Sequence, residues 1–551
     1  MDISDHAAAA VVDVTEDEES AVHKVFSSAE LISILVENLQ SIRDRVRLSK
    51  TCRSLLPLVY NDPMSWRKFV LNGFPDITRI TCKPYLQAVE SLSHKSDNNN
   101  RFQIYSRVRL FNRLVELELP GQRLQRDTFE RLGPTLLRLD VSSTMLDCGQ
   151  TFMPLEICFM TNYRFARELF TPLSNLKVLV ARWTADEREN EGGGIPNSRV
   201  LGILRDCCPL LEELDIGWES EFKERTTGPS AEVEFAQPFL VRIDTHNEDD
   251  VWHNGLRHLK HLSLAGFVAF NPANLACMML SQPPIETLNL CGCQALGAHN
   301  NEWQLTLVQS FAIPSLSANL KRLNVRGTGF NDHCAGALAH NGARLTHLNA
   351  SCTSISCRGL KELSDNAPAG TLTVLDLCYC KACTEDVSGV TAVIRRHSPG
   401  MRMLGLGGFN TMTLPQLREI LSGNEGTMDH LGIGGCTSLD GAETLHALTT
   451  ICPNLTALNA HKMAHATRAS LVYLIANMKK LRLIDVHGTE WDEPLVRKDI
   501  LTTTAADDFP TGIGEAAGKR WYAMGLTTDI PFHDYGVIRV EGPATVLSVG
   551  E

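Results

Sequence analysis

The 551-residue chain has no surplus of positive charge: 52 Lys and Arg stand against 64 Asp and Glu, a net charge of −12. That balance argues against the basic footprint that nucleic acid requires. No block of basic residues is present to meet an anionic membrane surface. No run of about 18 apolar residues occurs, so no bilayer span is predicted. The opening residues, MDISDHAAAAVV, lack the positive n-region and the apolar length of a secretory signal. Glycine loops that cradle nucleotides are missing, as is the Gly-x-Ser-x-Gly turn that presents a nucleophilic serine. Neither a catalytic triad nor a cofactor can be resolved from the remaining Ser, His and Asp. Seventeen cysteines, an odd number scattered along the chain, do not read as a secreted disulfide framework. Reduced thiols in the cytoplasm or nucleus are expected.

What is present is self-similarity. The pattern Leu-x-x-Leu-x-Leu, with other apolar residues allowed, starts at Leu114, Leu136, Leu176, Leu211, Leu259, Ile285, Leu320, Leu345, Leu372, Met401, Met428, Leu455 and Leu481. From Leu320 the intervals are 25, 27, 29, 27, 27 and 26 residues, the period of leucine-rich repeats. Each segment predicts a short strand with positions four and six inward and positions three, five and seven outward. Stretches such as VSGVTAVIRRH and ETLHALTTIC carry apolar residues at helical spacing, so each return leg predicts a helix. One unit cannot bury its own apolar face; neighbours must stack into a continuous core. The predicted fold is therefore an α/β leucine-rich-repeat solenoid over 111–491, with parallel strands inside and helices outside. Between Leu136 and Leu259 the spacing lengthens, and the polar stretches 187–198 and 218–235 are expected to loop out at a rim.

Position nine, just after the strand, takes two forms: Cys293, Cys380 and Cys436, or Thr144, Thr328, Thr353 and Thr489. Its side chain is expected to bond backbone groups of the turn. Cys-Pro closes two return legs, at Cys208-Pro209 and Cys452-Pro453. On these residues the chain resembles the cysteine-containing subfamily of leucine-rich repeats.

Residues 1–25, with TEDEES at 15–20, predict an acidic disordered tail. Over 26–72 a three-helix module is expected. Leu31, Ile34, Leu35 and Leu39 share one helical face, and Val46, Leu48, Cys52, Leu55 and Leu56 mark a second helix. Asp62-Pro63-Met64-Ser65-Trp66 opens a third element. The order Glu30-Leu31, Arg47-Leu48-Ser49, Cys52-Arg53 and Asp62-Pro63-x-x-Trp66-Arg67 resembles an F-box. Ser27-Ser28 stands where that family usually has Leu-Pro, and Leu55 where it usually has tryptophan. The resemblance implies that Leu31, Ile34, Leu35, Leu48, Cys52, Leu55 and Trp66 meet a Skp-type adaptor of a cullin-RING ligase. The alternative is a helical cap on the first repeat. Residues 73–110 read as a linker, with a polar hinge in SLSHKSDNNN from Ser91. Residues 492–551 read as a C-terminal cap with a hairpin around Gly542-Pro543.

Two clusters invite chemistry. Cys378-x-Cys380-x-x-Cys383, with His397 later, has thiol spacing known from zinc sites, but the repeat register accounts for Cys378 and Cys380 without a metal. The second cluster is a surface. Position five runs Asp215, Ser263, Asn289, Asn324, Asn349, Asp376, Gly405, Gly432, Asn459 and Asp485. Gly405 and Gly407, then Gly432 and Gly434, leave two adjacent strands without outward side chains, and glycine in a strand often marks close approach of another backbone. A shallow trough is expected there, bounded by Asp376 and Cys378 on one side and Asn459 and His461 on the other. The expected function is the substrate-recognition subunit of a cullin-RING ubiquitin ligase, doing no chemistry itself and holding a protein substrate on the repeats. An interaction scaffold without a ligase role, or a GTPase-activating regulator, are the alternatives.

Overall fold

The computed structural model describes residues 67–72, 89–95, most of 111–219, parts of 256–293, 307–485 apart from 385, and 537–539. The expected adaptor contacts Leu31, Ile34, Leu35, Leu48, Cys52, Leu55 and Trp66 lie outside the described residues, as does Thr489. The chain divides into two compact units, one ending at Ala181 and the other running from Arg182.

In the first unit five strands form a parallel ladder: β1 (Lys68–Asn72), β2 (Ser91–Lys95), β3 (Glu116–Glu118), β4 (Arg138–Asp140) and β5 (Val178–Val180). The ladder thus starts upstream of Leu114, and the polar stretch expected to be a hinge begins as a strand. The sequence hid this because SLSHK offers a single leucine, Leu92, which is 2% exposed.

In the second unit ten strands pair in parallel and in register. They are β6 (Glu213–Asp215), β7 (His261–Ser263), β8 (Thr287–Asn289), β9 (Arg322–Asn324), β10 (His347–Asn349), β11 (Val374–Asp376), β12 (Met403–Gly405), β13 (His430–Gly432), β14 (Ala457–Asn459) and β15 (Leu483–Asp485). Every position-five residue from Asp215 to Asp485 faces its counterpart in the next repeat, as the sequence predicts. A short strand β16 (Val537–Arg539) adds antiparallel to β15. Trp218–Glu219 pairs with Trp183–Thr184, so the second insertion begins as a ladder rather than a loop.

The helices occupy the return legs: α1 (Asp332–His340), α2 (Cys357–Asn366), α3 (Ser388–His397), α4 (Leu414–Leu421), α5 (Gly441–Ile451) and α6 (Arg468–Asn477). Their starts are written in the sequence. Asn331, Ser356, Asp440 and Thr467 accept backbone N–H bonds from the first turn, and Thr413 with Gln416 forms a reciprocal cap. Adjacent helices pack closely because Gly389 replaces a side chain: a Cβ there would lie 2.4 Å from the Cys357 carbonyl oxygen. The core is the stack of positions one, four and six. Leu375, Leu377, Leu404, Leu406 and Leu431 are fully buried or nearly so, each contributing roughly 1.5–3 kcal/mol relative to exposure. Phe330 and Ile355, two residues after position-nine threonines, re-enter that core. The fold is a leucine-rich-repeat solenoid.

Candidate protein-binding face

The strand ends set the geometry. In seven repeats the position-five side chain folds back and accepts from the backbone N–H two residues on. Ser142 N bonds Asp140 Oδ1, Gly217 N bonds Asp215 Oδ1, Cys291 N bonds Asn289 Oδ1 and Arg326 N bonds Asn324 Oδ1. Ser351 N bonds Asn349 Oδ1, Cys378 N bonds Asp376 Oδ1 and His461 N bonds Asn459 Oδ1, all at 3.0–3.2 Å. The Asn/Asp row is therefore first a structural device: it satisfies strand-end donors where the chain leaves the ladder.

Position eight then turns the chain through left-handed backbone. Gly121, Ser143, Gly292, Gly327, Cys352, Tyr379, Gly408, Gly435 and Lys462 all have φ between 54° and 78°. Recurrent glycine two places after position six was legible in the sequence and went unused there. The position-nine residues do bond backbone, in two ways. Cys293, Cys380 and Cys436 donate Sγ–H to the position-six carbonyl of the preceding repeat, Leu264, Ala350 and Leu406, at 2.9–3.2 Å. Thr328 and Thr353 instead donate to their own position-six carbonyls, Val325 and Ala350. Burial pushes the Cys380 and Cys436 thiols up to about 12, so both remain protonated donors.

The Cys-x-Cys-x-x-Cys cluster is engaged in the same way. Cys383 donates to Ile355 O at 3.2 Å. His397 Nδ1 accepts from the backbone N–H of Thr371 and Leu372 at 3.2 and 3.3 Å, and burial lowers its pKa to about 4. Among the described residues no group of three His, Cys, Asp or Glu is placed to hold a metal ion.

The structure brings Asp376, Cys378, Gly405, Gly407, Gly432, Gly434, Asn459 and His461 together, but the open trough expected from the glycines is filled. All eight residues are buried, Asp376 at 1%, Asn459 and His461 at 3%. Side chains from the flanking strands lean over the bare backbone. A Cβ at Gly405 would meet Asp376 Oδ1 at 2.4 Å, and one at Gly434 would meet His461 Nδ1 at 1.9 Å. Cys378 Sγ accepts from Gly407 N at 3.2 Å, supplying from the neighbouring repeat the acceptor that a position-five Asn would have provided. Burial, then the Asp376 carboxylate, holds the Cys378 thiol well above its usual range. The glycines are seats for neighbouring polar groups.

One residue that the sequence reading passed over completes the arrangement. Tyr379 sits at position eight with φ 60°, where a bulky side chain costs about 1–2 kcal/mol. Its ring lies against Gly408, where a Cβ would be 2.7 Å from Tyr379 Cδ1, and its hydroxyl reaches His461 Nε2 at 3.0 Å, three repeats on. Asn459 Oδ1 takes a bond from His461 Nδ1 at 2.6 Å. That fixes the proton on Nδ1 and leaves Nε2 to accept from the tyrosine. Glycine at positions eight of the next two repeats clears the path for this clasp, and Tyr379 as a whole stays 41% exposed.

No protein-family profile matches the chain, and no curated protein matches it. Among the solved structures that resemble it, three are each 14% identical to it. A Rad7 and Elc1 complex from yeast gives a TM-score of 0.41, covering 87% of this chain and 92% of that one. An internalin (inlF) from Listeria monocytogenes gives 0.38, covering 72% and 87%. A TLR13–ssRNA13 complex gives 0.35, covering 77% and 54%. At these identities and scores the likenesses carry no functional argument. What is established is the fold described above: parallel strands stacked repeat on repeat, with helices on the return legs.

Proposed function

We propose that the chain is a protein-binding receptor that does no chemistry itself. The observation that carries this is the unbroken parallel ladder of ten strands β6–β15. It presents one repeating surface whose polar groups are spent on strand ends, caps and the Tyr379 clasp. Repeat arrays of this kind offer extended faces suited to other proteins.

The finer reading is a substrate-recognition subunit of a cullin-RING ubiquitin ligase. It is supported by the F-box resemblance over 26–72 and by the order of that segment before the repeats. In this reading Leu31, Ile34, Leu35, Leu48, Cys52, Leu55 and Trp66 contact a Skp-type adaptor. A protein substrate rests on the exposed surface of the repeats rather than in the filled space among Asp376, Cys378, the four glycines, Asn459 and His461, and the protein works in the cytoplasm or nucleus. Twelve free thiols among the described residues fit such a compartment. Co-purification of the full chain with a recombinant Skp-type adaptor tests the ligase role. Capture by the native chain and its loss in Trp66→Ala support it. Absence of capture leaves the protein-binding repeats as a scaffold without ligase attachment.

A further inference from the structure

The rim that follows the strands differs in charge from the rest of the chain. Over positions eight to twelve of the six repeats from Gly327 to Ala466, no residue is Asp or Glu, although more than one residue in ten of the whole chain is acidic. The titratable residues of that strip include Lys381, Lys462 and His465, all exposed. Three acids just beyond it are engaged locally. Asp332 accepts from Ser356 N and Oγ at 2.7 and 2.6 Å, Asp386 from Ser388 N and Oγ at 2.8 Å, and Asp440 from Glu443 N at 2.8 Å. Within the strip stands Tyr379, held in left-handed backbone, its ring seated on Gly408 and its hydroxyl tied to His461. Lys381 lies two residues after the tyrosine and Lys462 directly after the histidine that clasps it. A strained, immobilised and still exposed aromatic loses little rotamer entropy when covered, which is the character of a binding hot spot.

We propose that Tyr379, Lys381 and Lys462 form a docking rim for an acidic protein segment; this rests on the protein-binding reading above. Carboxylates of the segment pair with the two ammonium groups. An apolar residue between them covers the exposed tyrosine face. Glycines 408 and 435 let the segment's backbone lie close to the rim. Complementary charge also steers encounter, so association is salt-sensitive.

The test uses the full-length chain and a fluorescein-labelled peptide, Glu-Glu-Gly-Phe-Gly-Glu-Glu, with its all-glutamine counterpart and an oligothymidylate as controls. Fluorescence anisotropy should show binding of the acidic peptide that weakens as salt rises. Tyr379→Gly suits the local backbone, so the fold should persist; affinity should fall roughly tenfold, as for an aromatic anchor. Tyr379→Phe should retain part of it. Lys381→Glu combined with Lys462→Glu, both at exposed positions, should abolish binding and decides the matter should the glycine variant fold poorly. No binding of the acidic peptide, equal binding of the glutamine peptide, tighter binding of the oligonucleotide, or unchanged affinity in the double lysine variant would each overturn the proposal. If the Tyr379→Gly chain still captures its adaptor and protein partners normally, this rim is excluded while the receptor reading stands.

Discussion

The repeats carrying β9 and β10 and those carrying β12 and β13 share one core and differ at the strand ends. In the first pair, Asn324 and Asn349 cap their own strands, accepting from Arg326 N and Ser351 N. In the second pair the capping residue is glycine, and the groups that occupy the space come from outside: Asp376 and Cys378 from the preceding repeat, Asn459 and His461 from the following one. The difference teaches that a strand-end donor can be satisfied within a repeat or between repeats. Only the second solution ties four consecutive repeats together, from Tyr379 to His461.

The largest effect should leave the comparison untouched. Leu377 and Leu406 occupy position six in β11's repeat and in the first glycine repeat, and both are fully buried. Leu377→Ala and Leu406→Ala should each cost roughly 2–5 kcal/mol in denaturant unfolding. A loss below about 1 kcal/mol at either would show that the inward register differs between the two kinds of repeat.

Acid should also strike both kinds alike. His347 stands at position three of an asparagine repeat and His430 at position three of a glycine repeat. Burial, the leading cause in each, lowers their pKa to about 4. The unfolded chain binds protons near the ordinary histidine pKa of about 6.5, while the folded chain refuses them until about pH 4. Stability present above pH 6.5 is therefore lost progressively toward pH 4, on the order of 1–3 kcal/mol per histidine after allowing for partial exposure. Urea midpoints at pH 7.5 and 5 should differ less in His347→Gln and in His430→Gln than in the native chain.

The caps themselves separate the repeats. Asn349→Ala leaves Ser351 N and Oγ without their acceptor and should cost about 1–3 kcal/mol. Cys378→Ala removes a weaker sulfur acceptor from Gly407 N and should cost about 1 kcal/mol. A larger loss at Cys378 than at Asn349 would reverse the ranking of cis and trans capping. Smallest is Tyr379→Gly, which trades backbone strain against one hydrogen bond and should stay within about 1 kcal/mol in thermal unfolding.

The period, the inward register from Leu372 to Asp485, the two position-nine forms and the helical return legs were all legible in the sequence. They repeat, and each depends on chemistry within one repeat or between adjacent ones. Strands β1 and β2 were not legible, because KFVLN and SLSHK lack the leucine spacing and are identified only by the strand that pairs with them. At the candidate face the sequence located the right residues and misjudged the space between them. Glycine reports that a Cβ is missing; it does not report whether solvent or a neighbour's carboxylate fills the gap. Tyr379 was missed for a related reason. Its partner His461 lies 82 residues away, and no local pattern links a tyrosine at position eight to a histidine three repeats on.

The central claim is that the glycine strands are seats for neighbouring side chains, and a double-mutant cycle on Gly434 and His461 tests it most directly. In urea unfolding, Gly434→Ala alone should cost about 1–3 kcal/mol, since its Cβ would fall 1.9 Å from His461 Nδ1. With His461 already changed to Ala, the same substitution should cost under about 0.5 kcal/mol, the level of an unremarkable surface change. An equal cost in both backgrounds would mean that His461 does not occupy the glycine's space, and that the strands lie open as bare backbone.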